Sequence, residues 1–229
     1  MKAIGAPPIK NFYEIYQVSH SFLTTDKQLD VYQRESKANT EFIGVIQSKS
    51  IGTDHVHWPY GSTAPKGFIY LKQEYRFLEA VLSACQSSEA QFLIYIDRLS
   101  HTLMQRYSSK KMTFSDKPYQ IDTIRNQCDF AILHGGNLLE AFLEVGKPLL
   151  MLPMQMEQTM SDYRVKAAKA GVVFTQEDSP DDLILYVEQL INERSYRDAA
   201  KVLSRNMGKI EATERIKRVV DKVDALLIQ

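Results

Sequence analysis

A histidine, two glycines and an asparagine lie between an apolar run and a helical pattern. The apolar run ends at Leu133 and is followed by His134, Gly135, Gly136 and Asn137. Glycines let a ligand approach the backbone, and a helix that begins there offers free N–H groups. The pattern predicts a phosphate site, in which His134 donates to a phosphate oxygen and Glu140 accepts from a ribose hydroxyl. The residues alone also allow a plain tight turn with a surface histidine.

A second candidate site follows the next apolar run, Leu149–Leu152. Glu157 and Gln158 come a few residues later, at what we expect to be the same edge of the sheet. Their side chains can accept hydrogen bonds from sugar hydroxyls and donate to them. An ordinary polar helix start is the alternative, because an acidic residue in the first turn of a helix is favoured in any case.

Two single residues are further candidates. Lys72 follows the first apolar run and is a candidate partner of a phosphate, although a solvated lysine has the same pattern. Tyr119 is a candidate cover for a base ring, although loop aromatics often pack on their own domain. The sequence has no P-loop, no G-x-G-x-x-G, no G-x-S-x-G and no H-E-x-x-H motif. His55 and His57 do not by themselves make a metal site.

Short apolar runs alternate with helical patterns from Gly67 onward. The runs are Phe68–Leu71, Phe92–Ile96, Met112–Phe114, Phe130–Leu133, Leu149–Leu152 and Val172–Phe174. Their continuous apolarity is typical of strands covered on both faces. Strand and helix in alternation predict an α/β fold, with a Rossmann-like parallel sheet flanked by helices.

The first part of the chain lacks this regular alternation of apolar runs and helical patterns. Residues 1–66 are irregular, and we expect a domain boundary there, with the regular domain at 67–229. Ser179, Pro180 and the two acids that follow predict a helix start. A final amphipathic helix is predicted from Ile216, Val219, Val223 and Leu226.

Composition excludes several classes of function. The 229 residues include 28 basic and 28 acidic residues, so the formal charge gives no reason to expect a nucleic-acid partner. No apolar run approaches the ~20 residues of a transmembrane helix, and no signal-peptide pattern is present. Cys85 and Cys128 show neither metal spacing nor a disulfide framework, and we expect a reduced, cytoplasmic location.

These residues resemble a known family. Cys128 to Gly136, Glu140-Ala141-Phe142, Gly146-Lys147-Pro148 and Pro153 to Gln158 are similar to the donor-binding signature of GT-B fold glycosyltransferases. More narrowly, they resemble the UDP-glucuronosyltransferases and the bacterial natural-product glycosyltransferases. Phe22 to Thr25 and Glu41 to Gly44 resemble the last strands of the acceptor domain. The resemblance thus implies that residues 1–66 are the end of the acceptor domain plus a linker, and that 67–229 are the donor domain.

The resemblance also implies roles for the candidate residues. His134, Gly135 and Gly136 would face the diphosphate of a UDP- or dTDP-sugar. Glu140 would hold the ribose, and Glu157 with Gln158 would hold the transferred sugar. Tyr119 lies near the family's base-stacking loop. The fold usually needs no bound metal, and no other cofactor is expected.

Two departures from the family matter. About two residues are missing between the His-Gly-Gly turn and Glu140, which leaves fewer donors for the diphosphate. A full enzyme has about 150–200 residues in each of two domains. From the resemblance we expect most of the half that carries the acceptor pocket and the catalytic base to be missing here, so no catalytic residue is assigned. We expect partners in the missing acceptor domain or a partner chain, and a homo-oligomer is a further possibility.

The sequence therefore leaves several functions open. The first is the nucleotide-sugar-binding half of a glycosyltransferase that transfers a hexose to an acceptor hydroxyl. The second is a non-catalytic module with a degenerate donor site. A third is a donor half that works only with a separate acceptor chain. A sugar-nucleotide epimerase shares the fold, but its usual catalytic carboxylates have no clear counterparts in the sequence.

Overall fold

A computed structural model gives the fold of the chain. It describes residues 10–16, 18–35, 37–46, 52–53, 56–58 and 63–228. His55 lies outside the described residues. The strands are β1 (Ser21–Leu23), β2 (Thr40–Phe42), β3 (Lys66–Lys72), β4 (Gln91–Asp97), β5 (Met112–Ser115), β6 (Phe130–Leu133), β7 (Leu149–Met151) and β8 (Gly171–Val173).

Eight helices accompany the strands in the described part of the chain. They are α1 (Leu78–Ser87), α2 (His101–Tyr107), α3 (Ile121–Gln127), α4 (Asn137–Leu143), α5 (Met156–Ala167), α6 (Asp182–Asn192), α7 (Arg194–Asn206) and α8 (Ala212–Leu227). Helix α6 begins at Asp182, slightly later than the predicted start at Ser179. The Ser179 amide still donates to the Asp182 carboxylate at 3.1 Å, as a helix start of this type requires.

The main sheet has six parallel strands in the order β5-β4-β3-β6-β7-β8. This is the strand order of doubly wound dinucleotide-binding folds, in which the chain reverses its direction of travel after the third strand. The predicted α/β fold with a Rossmann-like parallel sheet is confirmed.

The sheet is buried on both faces because its strands are apolar at consecutive positions. Along β3, Phe68 faces one core cluster and Ile69 faces the other, since side chains alternate across a strand. The Ile69 side packs against α1 and α6, and the Phe68 side packs against α3, α4 and α7. Helices on both faces leave the strand ends as the place for a ligand.

The described N-terminal segments contact the main domain. Strands β1 and β2 pair in parallel, which confirms the strands expected near Phe22 and Glu41. Helix α8 meets these segments: Arg218 pairs with Glu41 at 2.8 Å, and Arg215 donates to the Val45 carbonyl. The assignment of residues 1–66 to an acceptor domain remains a prediction.

Helix α8 carries an exposed apolar stripe. Ile216, Val220, Val223 and Leu227 recur at helical spacing, and each is at least 46% exposed. Among the described residues, no helix is long and apolar enough to cross a membrane.

Candidate functional site

The strand order reverses between β3 and β6, and the carboxyl ends of these strands meet at His134. The His134 ring is buried, with Nδ1 2.7 Å from the Leu152 carbonyl oxygen. The ring Nε2 accepts from the Lys72 backbone amide at 2.9 Å. Since a carbonyl can only accept, the proton resides on Nδ1. His134 therefore ties β3, the end of β6 and the segment after β7 together.

Burial also keeps this imidazole neutral. Removal from water is the main cause that lowers the pKa of His134. Both ring nitrogens are engaged by the protein, so the predicted donation to a phosphate would require the bond with Lys72 to be exchanged. Lys72 itself ends β3 with an exposed side chain.

The turn after His134 can exist only with glycine in it. Gly135 has φ +106° and Gly136 has φ +71°, conformations that side chains rarely adopt. A Cβ on Gly135 would also lie 3.0 Å from Oδ1 of Asp162. Within the described structure, the amides of Gly135 and Gly136 have no hydrogen-bond acceptor. Two neighbouring unpaired N–H groups suit an anion.

Glu140 lies one turn into α4 and is 3% exposed. Its Oε2 accepts from the Thr25 hydroxyl at 3.0 Å, and its Oε1 accepts from the Val45 amide at 3.1 Å. Burial raises the pKa of Glu140 to about 7, although hydrogen bonding by the Asp26 backbone and the Thr25 hydroxyl opposes the shift. The Glu140 carboxyl therefore connects α4 to the N-terminal segments through two hydrogen bonds.

A cleft of about 370 Å³ lies between the N-terminal segments and the starts of α4 and α5. It brings together Gly136, Asn137, Glu140 and Glu157 from the predicted set, with Thr25 and Arg34 on the opposite wall. Glu157 is exposed at the start of α5. Gln158 lies beside it and is partly used, because its Oε1 accepts from the Met154 amide at 2.8 Å.

Tyr119 does not line this cleft, and its role as a base cover stays a prediction. The side chain is 5% exposed and packs edge-on against Phe68, with 5.9 Å between ring centroids. Its apolar ring is stabilised more by the core between the sheet and α3 than by the surface.

Comparisons with known proteins agree with this fold. Residues 124–220 match the profile of the family described as UDP-glucoronosyl and UDP-glucosyl transferase. The spinosyn forosaminyltransferase SpnP aligns with a TM-score of 0.76 at 16% identity, over 98% of this chain and 59% of SpnP. The glycosyltransferase SnogD from Streptomyces nogalater aligns with a TM-score of 0.67 at 15% identity, over 91% and 60% of the two chains.

This chain has the fold of the C-terminal half of a GT-B glycosyltransferase. A third GT-B structure, the spinosyn rhamnosyltransferase SpnG complexed with thymidine diphosphate, aligns with a TM-score of 0.61 at 14% identity, over 83% of this chain and 54% of SpnG. The chain spans between 54% and 60% of the length of these three proteins. No curated protein sequence matches it.

Three residues of the GT-B half that line or adjoin the cleft were not predicted as site residues from the sequence. They are Thr25, Arg34 and Asp162. Arg34 is held by Asp30 at 2.6 Å, and Thr25 is far from Glu140 in the sequence. Asp162 has a sequence signal, because Gln158, Asp162 and Val165 share one face of α5 and Val165 is apolar.

The described residues provide no set of side chains that could bind a metal ion. Among the residues that the structure describes, no group of at least three His, Cys, Asp and Glu side chains could hold a metal ion. The lining of the cleft offers hydrogen bonding by amides, carboxylates and amide side chains.

Proposed function

We propose that this chain is the donor-binding half of a glycosyltransferase. It binds a UDP- or dTDP-sugar, and the full protein transfers the hexose to an acceptor hydroxyl. The observation that carries this proposal is the pair of unpaired amides at Gly135 and Gly136, placed where the strand order reverses. Ligands of open α/β sheets bind at such a place. The family match and the SpnG complex with thymidine diphosphate support the choice of ligand.

The proposed mechanism follows from the charge that develops on the leaving group. As the bond to the sugar breaks, negative charge builds on the nucleoside diphosphate. Fixed amide donors stabilise that charge without having to reorient. His134 contributes by holding the turn in place through Lys72 and Leu152.

The remaining residues would orient the donor. Glu140 accepts hydrogen bonds from the ribose hydroxyls. Its carboxyl would then release or share its hydrogen bonds with Thr25 and Val45. Glu157, which lines the cleft, and Gln158 beside it bind the hydroxyls of the transferred sugar from the start of α5. The exposed side chains of Lys72 and Asn137 lie at the same edge and would meet the phosphates. In this proposal the acceptor and its base belong to the other half of the protein.

Calorimetric titration with UDP, dTDP and GDP tests the donor site. We expect UDP or dTDP to bind, and Gly136→Ala to weaken binding by about 1–3 kcal/mol through loss of amide contacts to a charged group. No atom lies within 4 Å of a Cβ placed on Gly136, so this substitution changes the turn rather than the packing. Gly146→Ala controls for backbone strain, because Gly146 has φ +70° at the other end of α4, and its Cβ would in addition contact Lys201 at 3.1 Å.

The outcome separates ligand binding from backbone strain. Both variants force a side chain into a conformation that glycine favours, and both therefore lose stability. Only Gly136→Ala should lose nucleotide affinity. If no nucleotide binds to the wild-type chain at millimolar concentration, the donor-site proposal is wrong for this chain.

A non-catalytic or partner-dependent module is the second candidate. Two observations favour it: both Glu140 oxygens are already bonded to the N-terminal segments, and both His134 nitrogens are engaged. A stable chain that binds no nucleotide would support the non-catalytic module. Nucleotide binding that appears only with a co-purifying second polypeptide would support the partner-dependent enzyme.

We also propose a cytoplasmic location and a covering partner for α8. Cys85 and Cys128 are free and buried, which suits a reducing compartment, and burial raises the pKa of Cys128 to about 12. The exposed stripe of α8 would contact the acceptor half, in the same protein or in a partner chain. A homo-oligomer through this stripe is the alternative, and light scattering at high concentration distinguishes them.

A further inference from the structure

Asp162 is a buried carboxyl group next to the glycine turn. It lies on the inner face of α5, is 0% exposed, and its Oδ1 is 3.0 Å from the position that a Cβ on Gly135 would take. Only the absence of a side chain at Gly135 lets the carboxyl come so close to the backbone of the turn. Asp162 is thus a neighbour of the amides proposed to bind the diphosphate.

Neither oxygen of this carboxyl has a hydrogen-bond partner within the described structure. Buried polar groups in folded proteins nearly always have one, and an unpartnered carboxylate is especially costly. Gly135 lies beside it, and the Gly135 amide also has no hydrogen-bond partner among the described residues. A backbone donor and a buried acceptor group therefore lie close together without bonding to each other.

The surroundings of Asp162 do not stabilise a negative charge. Burial alone raises its pKa, to about 8. The charged or titratable groups on the elements around it are Glu157, Tyr163, Arg164 and Lys166 on α5, His134 in the turn, Glu140 on α4, and Asp26 and Lys27 at the 3₁₀ turn Lys27–Leu29. None of them bonds to the Asp162 carboxyl, and β8 carries no titratable side chain.

We propose that Asp162 must be protonated for the glycine turn to hold a diphosphate, so that this residue sets the upper pH limit of nucleotide binding. When Asp162 is neutral, the amides of Gly135 and Gly136 are free for the phosphate oxygens. When it is ionised, its carboxylate competes for the Gly135 amide and repels the phosphates. The inference rests on the proposed donor site and adds to it a residue that controls it.

The size of the effect follows from proton linkage. If only the protonated form binds, the dissociation constant rises about tenfold for each pH unit above the pKa of Asp162. With that pKa at about 8, UDP binding should weaken by about tenfold between pH 7.5 and pH 9. Glu140, with a pKa of about 7, is mostly ionised throughout this range and does not account for the change.

Titration of UDP and dTDP at several pH values between 7.5 and 9.5 tests the inference. Wild-type affinity should fall with pH, whereas Asp162→Asn should keep nearly constant affinity, because Asn cannot ionise. Asp162→Ala gives the same test should the Asn variant fold poorly. Asp224→Asn, at an exposed position on α8, is the matched control and should follow the wild type.

A second measurement needs no nucleotide. The carboxyl carbon of Asp162, assigned by its loss in Asp162→Asn, should titrate near pH 8 in carbon-13 spectra of aspartate-labelled protein. A midpoint near pH 4 would overturn the inference whatever the nucleotide does. A midpoint near pH 8 with pH-independent binding would overturn the inference and leave the donor site standing. Absence of binding by wild type and Asp162→Asn at every pH would overturn the proposed function and this inference with it.

Discussion

The two ends of α4 differ in how their polar groups are paired. At the C-terminal end, the Glu144 carboxylate accepts from Arg215 at 2.5 Å and from Arg125 at 3.1 Å. The Glu144 carbonyl accepts from the Ser204 hydroxyl at 2.6 Å. Gly146 closes the helix, with its amide 2.9 Å from the Leu143 carbonyl. This end is held by the protein itself.

At the N-terminal end, the amides of Gly135 and Gly136 and both Asp162 oxygens have no partner within the described residues. Both ends contain glycines with positive φ, so strain alone does not distinguish them. The two ends differ in whether their polar groups have hydrogen-bond partners among the described residues. Of these unpaired groups Asp162 is buried, and a buried carboxyl normally has a hydrogen-bond partner. We therefore propose the N-terminal end as the ligand-binding end and the C-terminal end as structural.

The largest expected effect concerns the paired end. Arg215→Ala should lower the free energy of unfolding by about 3–5 kcal/mol, because it breaks a buried ion pair and leaves the Glu144 carboxylate poorly compensated. Urea denaturation measures this change. Nucleotide affinity should change less than stability, because Arg215 reaches the cleft between α4 and α5 only through its hydrogen bond to Val45.

Arg218→Ala is the control for this experiment. Arg218 lies one turn from Arg215 on α8, and its ion pairs with Glu41 and Glu214 are exposed. Exposed pairs contribute little, so this variant should unfold close to the wild type. If Arg215→Ala were no less stable than Arg218→Ala, the Glu144 cluster would not be the structural anchor described here.

A smaller effect is expected at the N-terminal end of α4, where the free energy of unfolding should depend on pH because Glu140 titrates. Its pKa is raised by folding to about 7, so the folded state binds the proton more tightly than the unfolded state. Wild-type stability should therefore fall relative to Glu140→Gln as pH rises from about 5 to 7, by about 1–3 kcal/mol, and then level off.

Urea denaturation of both proteins at pH 5, 6, 7 and 8 measures that difference. Gln keeps an acceptor for the Val45 amide and a donor for the Thr25 hydroxyl, which makes it a close replacement. A difference that stays constant with pH would show that burial of Glu140 carries no such ionisation cost. The contrast between the two ends of α4 would then rest on the glycine amides and Asp162 alone.

The sheet could be predicted from the sequence because its strands are continuous apolar runs. The run Phe130–Leu133 coincides with β6, and Leu149–Leu152 ends one residue beyond β7. The glycine turn was equally visible, since Gly135 and Gly136 directly follow that strand. Local composition is enough for features that depend on neighbours in sequence.

The partners of the site residues could not be predicted in this way. His134 bonds to Lys72 and Leu152, which are remote in sequence. Tyr119 precedes a helix, and its sequence context does not distinguish a buried ring from an exposed one. Asp162 lies on a mostly polar helix, so its complete burial follows from packing against the Gly135 turn rather than from the helix itself.

The central claim is that the N-terminal end of α4 is the ligand-binding end, and nitrogen-15 glycine labelling tests it most directly. The chain has ten glycines, so the amide spectrum is simple, and Gly→Ala variants assign its peaks. On addition of UDP or dTDP, the amide signals of Gly135 and Gly136 should shift, while Gly146 at the paired end should not. Saturating nucleotide that leaves the two turn amides unmoved, or that shifts Gly146 as strongly, would contradict the account.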